Sequence, residues 1–170
     1  QIGEQWWMAE NLKVTHYNDG SDITHIINDE DWGSWDEGQY GVYDNDPANA
    51  DIYGNLYNCA VVDDERGVCP DGWHVPSDSE YTILTDYLGG ESVAGGKMKE
   101  AGTEHWNSPN TGATNESGFT GLPAGGRDWS DGYDSFGSRG YFWGASSRWN
   151  LETYNSSFYQ SYQLNNSGYS

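Results

Sequence analysis

The side chains of this sequence that could support metal chemistry are its four histidines. They lie far apart along the chain, and none has the i, i+4 spacing of a helical metal pair or stands beside a cysteine motif. They are His16, His25, His74 and His105. The sequence therefore predicts no metal site built on histidine, and His74, which joins an aromatic strand to Pro76, is interpreted as structural.

Nucleophilic catalysis has equally little support. No Gly-x-Ser-x-Gly elbow occurs, and no glycine pair is followed by the Lys-Ser or Lys-Thr of a phosphate-binding loop. Cys59 and Cys69 stand in an acidic region that does not favour a thiolate, and whether they pair stays open. We therefore expect no catalytic residue and no enzyme, although paired acids acting on a polysaccharide stay as a third hypothesis.

Calcium is the one cofactor that the acidic residues suggest, and otherwise we expect none. A loop with Asp44, Asp46, Asn49 and Asp51 offers oxygen ligands. It is not an EF-hand, because the sixth position is Asn49 and the twelfth is Asn55. A looser calcium site there, or at Asp63-Asp64-Glu65, stays open beside the interpretation as solvated acidic turns.

Composition predicts one domain whose core consists of aromatic rings. The 170 residues include 9 Trp and 13 Tyr, whereas the mean hydropathy is only -0.86. A chain of this length can bury roughly 70% of its unfolded surface, and each large ring contributes much of that area. With 23 Gly, we expect few long helices and many loops, which argues against a helical bundle.

The formal charge excludes two classes of partner. Against 27 Asp and Glu the chain has only 7 Lys and Arg, which gives -20 at pH 7. Such a surface repels nucleic acid phosphates and anionic bilayers. No apolar run approaches the ~18 residues of a membrane span, so we expect neither nucleic acid binding nor membrane insertion.

One segment has clear helical signals. Ser77 and Glu80 have the spacing of a capping box, the apolar residues that follow share one face, and Gly89 ends the run. These signals predict a helix over 77–88, and a weaker pattern predicts a second helix over 94–101. Residues 1–60 and those after Phe119 alternate aromatic clusters with turn residues, which is typical of short strands.

The last segment has a distinct composition. More than half of the residues from Ser146 to Ser170 are Asn, Ser or Tyr. Antibody binding sites use the same residues, because Tyr supplies rigid contact area while Ser and Asn adapt their hydrogen bonds. Two interpretations stay open on composition alone: a binding surface, and a polar terminal hairpin whose tyrosines cover the sheet.

Several motifs along the whole chain resemble the Fibrobacter succinogenes major paralogous domain family. They are Ile2-Gly3-Glu4-Gln5-Trp6-Trp7-Met8-Ala9-Glu10-Asn11-Leu12, Tyr53-Gly54-Asn55-Leu56-Tyr57-Asn58, Cys69-Pro70-Asp71-Gly72-Trp73-His74-Val75-Pro76-Ser77, Leu88-Gly89-Gly90, Gly118-Phe119-Thr120-Gly121-Leu122-Pro123-Ala124-Gly125 and Phe142-Trp143. The resemblance implies an α+β domain over residues 1–170 with a C-type lectin fold, a twisted antiparallel sheet and one or two helices. Neither cysteine stands where the related formylglycine-generating enzymes hold copper, so the resemblance does not imply an oxidase.

Some proteins of this kind resemble the variable proteins of diversity-generating retroelements, in which reverse transcription mutates adenines near the end of the gene. An Asn codon that loses its first adenine can encode Tyr, Asp or His, and one that loses its second can encode Ser, Thr or Ile. A segment rich in Asn, Tyr and Ser fits that history, and we expect the variable segment to span residues 140–170.

The resemblance implies a set of exposed ligand-binding residues in this segment. The candidates are Asn150, Tyr154, Asn155, Ser156, Ser157, Tyr159, Ser161, Tyr162, Asn165 and Asn166. Trp143 and Leu164 are expected to anchor the sheet beneath them. The strand register that decides which residues face solvent stays open.

The leading hypothesis is a display domain at a cell or virion surface, outside the cell, that binds a protein or other macromolecular ligand through this diversified segment. The alternative is a constant surface-adhesion domain of the same family that binds glycan on stacked Trp and Tyr. The Glu-Pro-Asn and Gln-Pro-Asp motifs of calcium-dependent sugar-binding lectins are absent, and Trp149-Asn150 is only a fragment of their other motif.

Overall fold

The computed structural model describes residues 1–34, 36–128 and 132–163, with the backbone alone for Tyr162 and Gln163. The chain forms two compact units. The first comprises residues 1–9, 76–123 and 137–170, and the second comprises residues 10–75 and 124–136. Several small sheets, a few short helices and much loop make the fold α+β, as the sequence predicts.

The second unit consists of short elements around a small core. Strand β1 (Thr24–His25) pairs in parallel with β2 (Gln39–Gly41), which pairs antiparallel with β3 (Leu56–Tyr57), and β4 (Gly126–Asp128) forms a hairpin with β5 (Gly132–Asp134). Two helices, α1 (Pro47–Tyr53) and α2 (Cys59–Val62), flank β3 in sequence. The core residues are Tyr17, Ile23, Val61 and Val68.

Helix α1 occupies the acidic segment that the sequence analysis considered as a calcium loop. The Asp46 carboxylate caps the helix, since its Oδ1 accepts a hydrogen bond from the Ala48 amide at 3.0 Å. Pro47 follows as the first helical residue, where its missing N–H costs nothing. Asn49 donates from Nδ2 to the carbonyl of Tyr43. Two of the four oxygen-bearing side chains therefore stabilise the start of a helix.

The first unit contains the two longer helices and the largest sheet. Helix α3 spans Asp78–Tyr87 and α4 spans Glu91–Met98. Strands β6 (Arg139–Trp143), β7 (Ser147–Glu152) and β8 (Phe158–Gln163) form an antiparallel sheet in that order, with a register shift between Arg148 and Trp149.

The capping box predicted for α3 is confirmed. The Glu80 amide donates to Ser77 Oγ at 3.3 Å, and the Ser77 amide donates to Glu80 Oε2 at 2.8 Å. Two amides at the helix start are thereby satisfied by side chains. The helix ends at Leu88 as its C-cap, so the predicted range 77–88 includes both caps.

Helix α4 begins and ends three residues before the predicted range of 94–101, so that boundary prediction was wrong. The Gly95-Gly96 pair, which weakens a helix, is buried in its middle. A Cβ on Gly95 would collide with the backbone of Ser157, and a Cβ on Gly96 would collide with the carbonyl of Gly112. The glycines are needed because two backbone segments, the one after β7 and the loop at Gly112, pack directly on the helix.

The core of the first unit combines the aromatic rings that composition predicts with aliphatic side chains such as Leu84 and Leu151. Tyr81 of α3 lies at its centre: its ring stacks on Trp7 at 5.3 Å between centroids and contacts Trp149 at 5.1 Å and Phe158 at 5.3 Å. The polar end of Tyr81 donates to the carbonyl of Trp143 at 3.1 Å. One side chain therefore connects the helix to strands β6, β7 and β8.

Both cysteines are free thiols, so the pairing that the sequence left open does not occur in the structure. Burial raises the pKa of each thiol. Within the described part of the chain, no helix is long and apolar enough to cross a membrane.

Replacing Ser77 by Ala should lower the free energy of unfolding by about 1 kcal/mol, because an N-cap acceptor is lost. Urea unfolding of the pure protein measures the change. Ser79→Ala is the matched control, since Ser79 is an exposed residue of the first turn of the same helix, and surface changes usually stay within about 0.5 kcal/mol. Equal effects of the two variants would contradict the role of the cap.

Candidate functional site

The candidate site is the outer face of the β6–β7–β8 sheet. Successive side chains of a strand point to opposite faces. Trp149, Leu151 and Phe158 are at most 2% exposed and face the core. The residues that alternate with them face away from the core. Among these, Asn150 lies opposite Tyr141 on one side and Tyr159 on the other. We use "outer face" for Arg139, Tyr141, Trp143, Arg148, Asn150, Glu152, Tyr159 and Ser161.

Three of the sequence-predicted residues are accessible on this face or at its edge. Tyr154, in the turn between β7 and β8, is 73% exposed. Ser161 is exposed, and Tyr159 is half-buried with a pKa that burial raises. These three residues place two aromatic rings and three hydroxyl groups on the face or at its edge.

The exposure expected for Asn150 is wrong. Asn150 is 5% exposed in the central strand, where its cross-strand neighbours are Tyr141 and Tyr159. Its Oδ1 accepts a hydrogen bond from Ser161 Oγ at 2.9 Å. A central strand is flanked on both sides, which explains why a polar residue of the outer row is covered and hydrogen-bonded to a neighbour.

Asn155, Ser156 and Ser157 are half-buried and form the turn itself. Asn155 Nδ2 donates to Glu152 Oε2 at 2.8 Å, and its Oδ1 accepts from the Ser157 amide at 2.8 Å. The carbonyl of Ser156 accepts from the Gly96 amide at 2.9 Å. These contacts hold the turn that presents Tyr154.

The remaining predicted residues lie partly or wholly outside the described residues. The backbone of Tyr162 in β8 pairs with that of Arg148 in β7, while the side chain of Tyr162 lies outside the described residues. Asn165, Asn166 and Leu164 are also outside it. Trp143, expected beneath the face, is half-buried and by strand alternation shares the row of Tyr141.

Sequence reasoning missed the charged residues of the face. Arg139 Nε forms an ion pair with Glu152 Oε1 at 3.1 Å, and the Arg148 guanidinium lies over the ring of Tyr141 at 4.4 Å from its centroid. Strand alternation would have assigned these charged residues to the outer face if the register of the three strands had been known from the sequence. The arrangement offers planar donors and aromatic rings side by side, which suits recognition of a polar partner.

The buried Lys99 ammonium fixes the turn from within the unit. It is 0% exposed and donates to the carbonyls of Thr111 at 2.9 Å, Glu152 at 2.8 Å and Asn155 at 2.8 Å. Desolvation lowers its pKa from the ordinary 10.5 to about 8, with the Glu152 carboxylate acting in the opposite direction. One side chain thereby holds three segments around the turn.

A second polar group supports the sheet from its core side. Asp78, the first residue of α3, accepts hydrogen bonds from Ser147 Oγ, from Trp149 Nε1 at 3.1 Å and from Gln160 Nε2 at 3.2 Å. A carboxylate with several donors is well satisfied even when partly buried. Helix α3 is therefore hydrogen-bonded to both β7 and β8.

The described residues contain no group of three or more His, Cys, Asp or Glu side chains that could hold a metal ion. The outer face combines aromatic rings, three hydroxyls, one amide, one carboxylate and two guanidinium groups. Such an arrangement can bind by contact and hydrogen bonding.

Comparison with known sequences identifies one family. The model of the family described as the Fibrobacter succinogenes major domain matches residues 1–170 of this chain. Searches of curated proteins and of solved structures give no significant match.

Replacing Lys99 by Met should lower the free energy of unfolding by roughly 2–4 kcal/mol, because three inward-facing carbonyls lose their donor. Lys97→Met is the control: Lys97 is partly exposed and pairs with Glu116 at the surface, and an exposed pair contributes about 0–1 kcal/mol. Chemical unfolding near neutral pH measures both variants. A similar small loss in both would contradict the anchoring role of Lys99.

The lowered pKa of Lys99 predicts that the stability of the protein depends on pH. Because the folded pKa of about 8 lies below 10.5, the unfolded chain holds this proton more tightly than the folded chain does. Unfolding therefore becomes harder as pH rises from 8 towards 10.5, while below 8 this proton contributes no pH dependence. The stability of the wild type relative to Lys99→Met should increase over that window in chemical unfolding. A constant or shrinking difference would exclude the shift.

Proposed function

From the premise that this chain belongs to the Fibrobacter succinogenes major domain family, we propose that it is a ligand-binding display domain. Its binding surface is the outer face together with the exposed turn at Tyr154. The ligand is a protein or another macromolecule at a cell or virion surface. The proposal rests mainly on one observation: alternate residues of strands β7 and β8 face opposite sides of the sheet. Trp149, Leu151 and Phe158 are buried on the inner side, whereas the residues between them form a polar and aromatic row on the outer side.

This separation supports a diversified binding site. The inner row, the Lys99 anchor and the Asp78 hydrogen bonds supply stability, and none of them requires a particular side chain at Tyr154, Tyr159 or Ser161. Substitutions at exposed positions usually change stability by no more than about 0.5 kcal/mol. The outer positions within residues 140–170 can therefore vary as adenine mutagenesis by a diversity-generating retroelement would require, while the inner row keeps the fold.

The composition of the face supports protein binding in particular. Tyrosine and arginine are enriched where protein interfaces carry most of their binding energy, since each combines large contact area with a polar end. The described outer face carries Tyr141, Tyr159, Arg139 and Arg148. A C-type lectin fold, with this sheet as the ligand-bearing element, is part of the proposal.

The first test is the DNA around the gene. We expect a near-copy of the segment that encodes residues 140–170, differing at adenines and adjacent to a reverse transcriptase gene. Sequencing of the locus measures this directly. Absence of such a copy would favour the constant adhesion domain, and glycan-array binding with and without calcium would then test that alternative.

An array of random dodecapeptides first identifies the peptides that the wild-type protein binds. The double replacement Tyr154→Ala with Tyr159→Ala should abolish binding to these peptides. Because Tyr154 is exposed and Tyr159 half-buried, the melting temperature should fall only slightly, corresponding to about 1 kcal/mol. Tyr87→Ala is the control, since Tyr87 is 65% exposed on α3, away from the face. Retained binding by the double variant would contradict the proposed surface.

A further inference from the structure

The outer face contains one cation, Arg148, that has no acidic partner among the described residues. Of the seven Lys and Arg residues, six contact oxygen acceptors in the described structure: five form ion pairs with carboxylates, and Lys99 binds carbonyls. The five pairs are Lys13–Glu10, Arg66–Asp64, Lys97–Glu116, Arg127–Asp29 and Arg139–Glu152. Arg148 forms no ion pair with a carboxylate among the described residues. With 27 acidic residues available in the chain, an arginine without such a pair marks a position where an external carboxylate could bind.

The environment of Arg148 holds the guanidinium in place. Its Cζ atom lies over the ring of Tyr141, 4.4 Å from the ring centroid, and its Nε is buried without a hydrogen-bond partner in the described part of the chain. The residue as a whole stays partly exposed. Because Nε itself is covered, a ligand reaches the guanidinium through its other nitrogens, and an acceptor there pairs a cation that has no carboxylate partner among the described residues. Stacking on Tyr141 lowers the entropy that the side chain would lose on binding.

Geometry and charge select the acceptor. A guanidinium presents donors in a planar fork that matches the two oxygens of a carboxylate. The carboxylate of Glu152 is already paired with Arg139 in the neighbouring strand and does not supply it. A polyanion such as nucleic acid would be repelled by the net charge of -20, whereas a single carboxylate meets mainly local charges.

Resting on the proposed function, we propose that the outer face recognises a protein segment that presents an Asp or Glu side chain, whose carboxylate pairs with Arg148. The rings of Tyr141 and Tyr159 contact the residues that flank this acid. The ion pair forms in a partly desolvated position, and Arg148 is therefore the binding residue that sets the chemical preference of the face.

The array of random dodecapeptides tests this proposal, because the overall charge of the chain predicts the opposite preference. The net charge of a chain at -20 favours basic peptides. We expect instead that retained peptides are enriched in Asp and Glu over Asn and Gln. Arg148→Gln should weaken their binding by roughly tenfold or more, as expected when one partner of a desolvated charge pair is removed. Arg148→Lys should weaken it less, since the charge is kept and the fork is lost.

The control for net charge is Lys97→Gln, which removes one positive charge from α4 in the same unit, and it should leave binding unchanged. Melting temperatures verify that each variant is folded. If Arg148→Gln does not fold, the difference between Arg148→Lys and wild type on acidic peptides and their amide counterparts decides the question.

The results separate the two proposals. Acid-enriched binding that depends on Arg148 supports the inference. Binding that depends on Tyr154 and Tyr159, but shows no acidic preference or no loss in Arg148→Gln, overturns the carboxylate pairing and keeps the display surface. Binding that is insensitive to all of these residues overturns both, and an array without any Arg148-dependent peptide overturns the inference.

Discussion

The turn between β7 and β8 depends on the Lys99 ammonium. Three carbonyls, from the Thr111 loop, the end of β7 and the turn itself, converge on one Nζ atom within 2.9 Å. Without the ammonium these carbonyls would face each other with no donor between them. Gly95 and Gly96 of α4 permit the same turn to pack directly on the helix backbone. The geometry of the turn therefore depends on groups behind it as well as on the Asn155 side chain within it.

This arrangement explains how a binding face can be both rigid and tolerant of substitution. Affinity gains from pre-organisation, because groups that are already fixed lose little entropy on binding. Here the fixed parts are backbone and inner row: Trp149 and Phe158 pack on Tyr81, and Asp78 is hydrogen-bonded to Trp149. The outer side chains make few contacts to the core, and in the proposed function they would contact a partner. Asn150 is the exception, since it is buried between neighbouring strands, and variation there should be the most restricted.

The sequence was sufficient for features that depend on local signals. The start of α3 followed from Ser77 and Glu80 and its end from Gly89, and the aromatic part of the core followed from composition. Helix α1 has a local signal in Asp46-Pro47, but the acidic residues around it suggested calcium ligands instead. Features that depend on long-range contacts were out of reach. Gly95-Gly96 lowers helix propensity locally, while their tertiary role is close packing on Ser157 and on Gly112, which lie far along the chain from the helix. The burial of Asn150 and the position of Arg148 both depend on strand register, which composition does not contain.

The acidic surface and the arginine of the outer face act over different distances. At physiological ionic strength, charges separated by more than about 8 Å are largely screened, so the charge of -20 acts mainly as a weak repulsion that keeps copies of the chain apart. At contact, the charges that matter on the described face are Arg139, Arg148 and Glu152, and two of these neutralise each other. An acidic segment would therefore approach slowly and bind only where its carboxylate meets Arg148. Repulsion everywhere else would disfavour other docking positions, so the same net charge that slows association would increase specificity for this face.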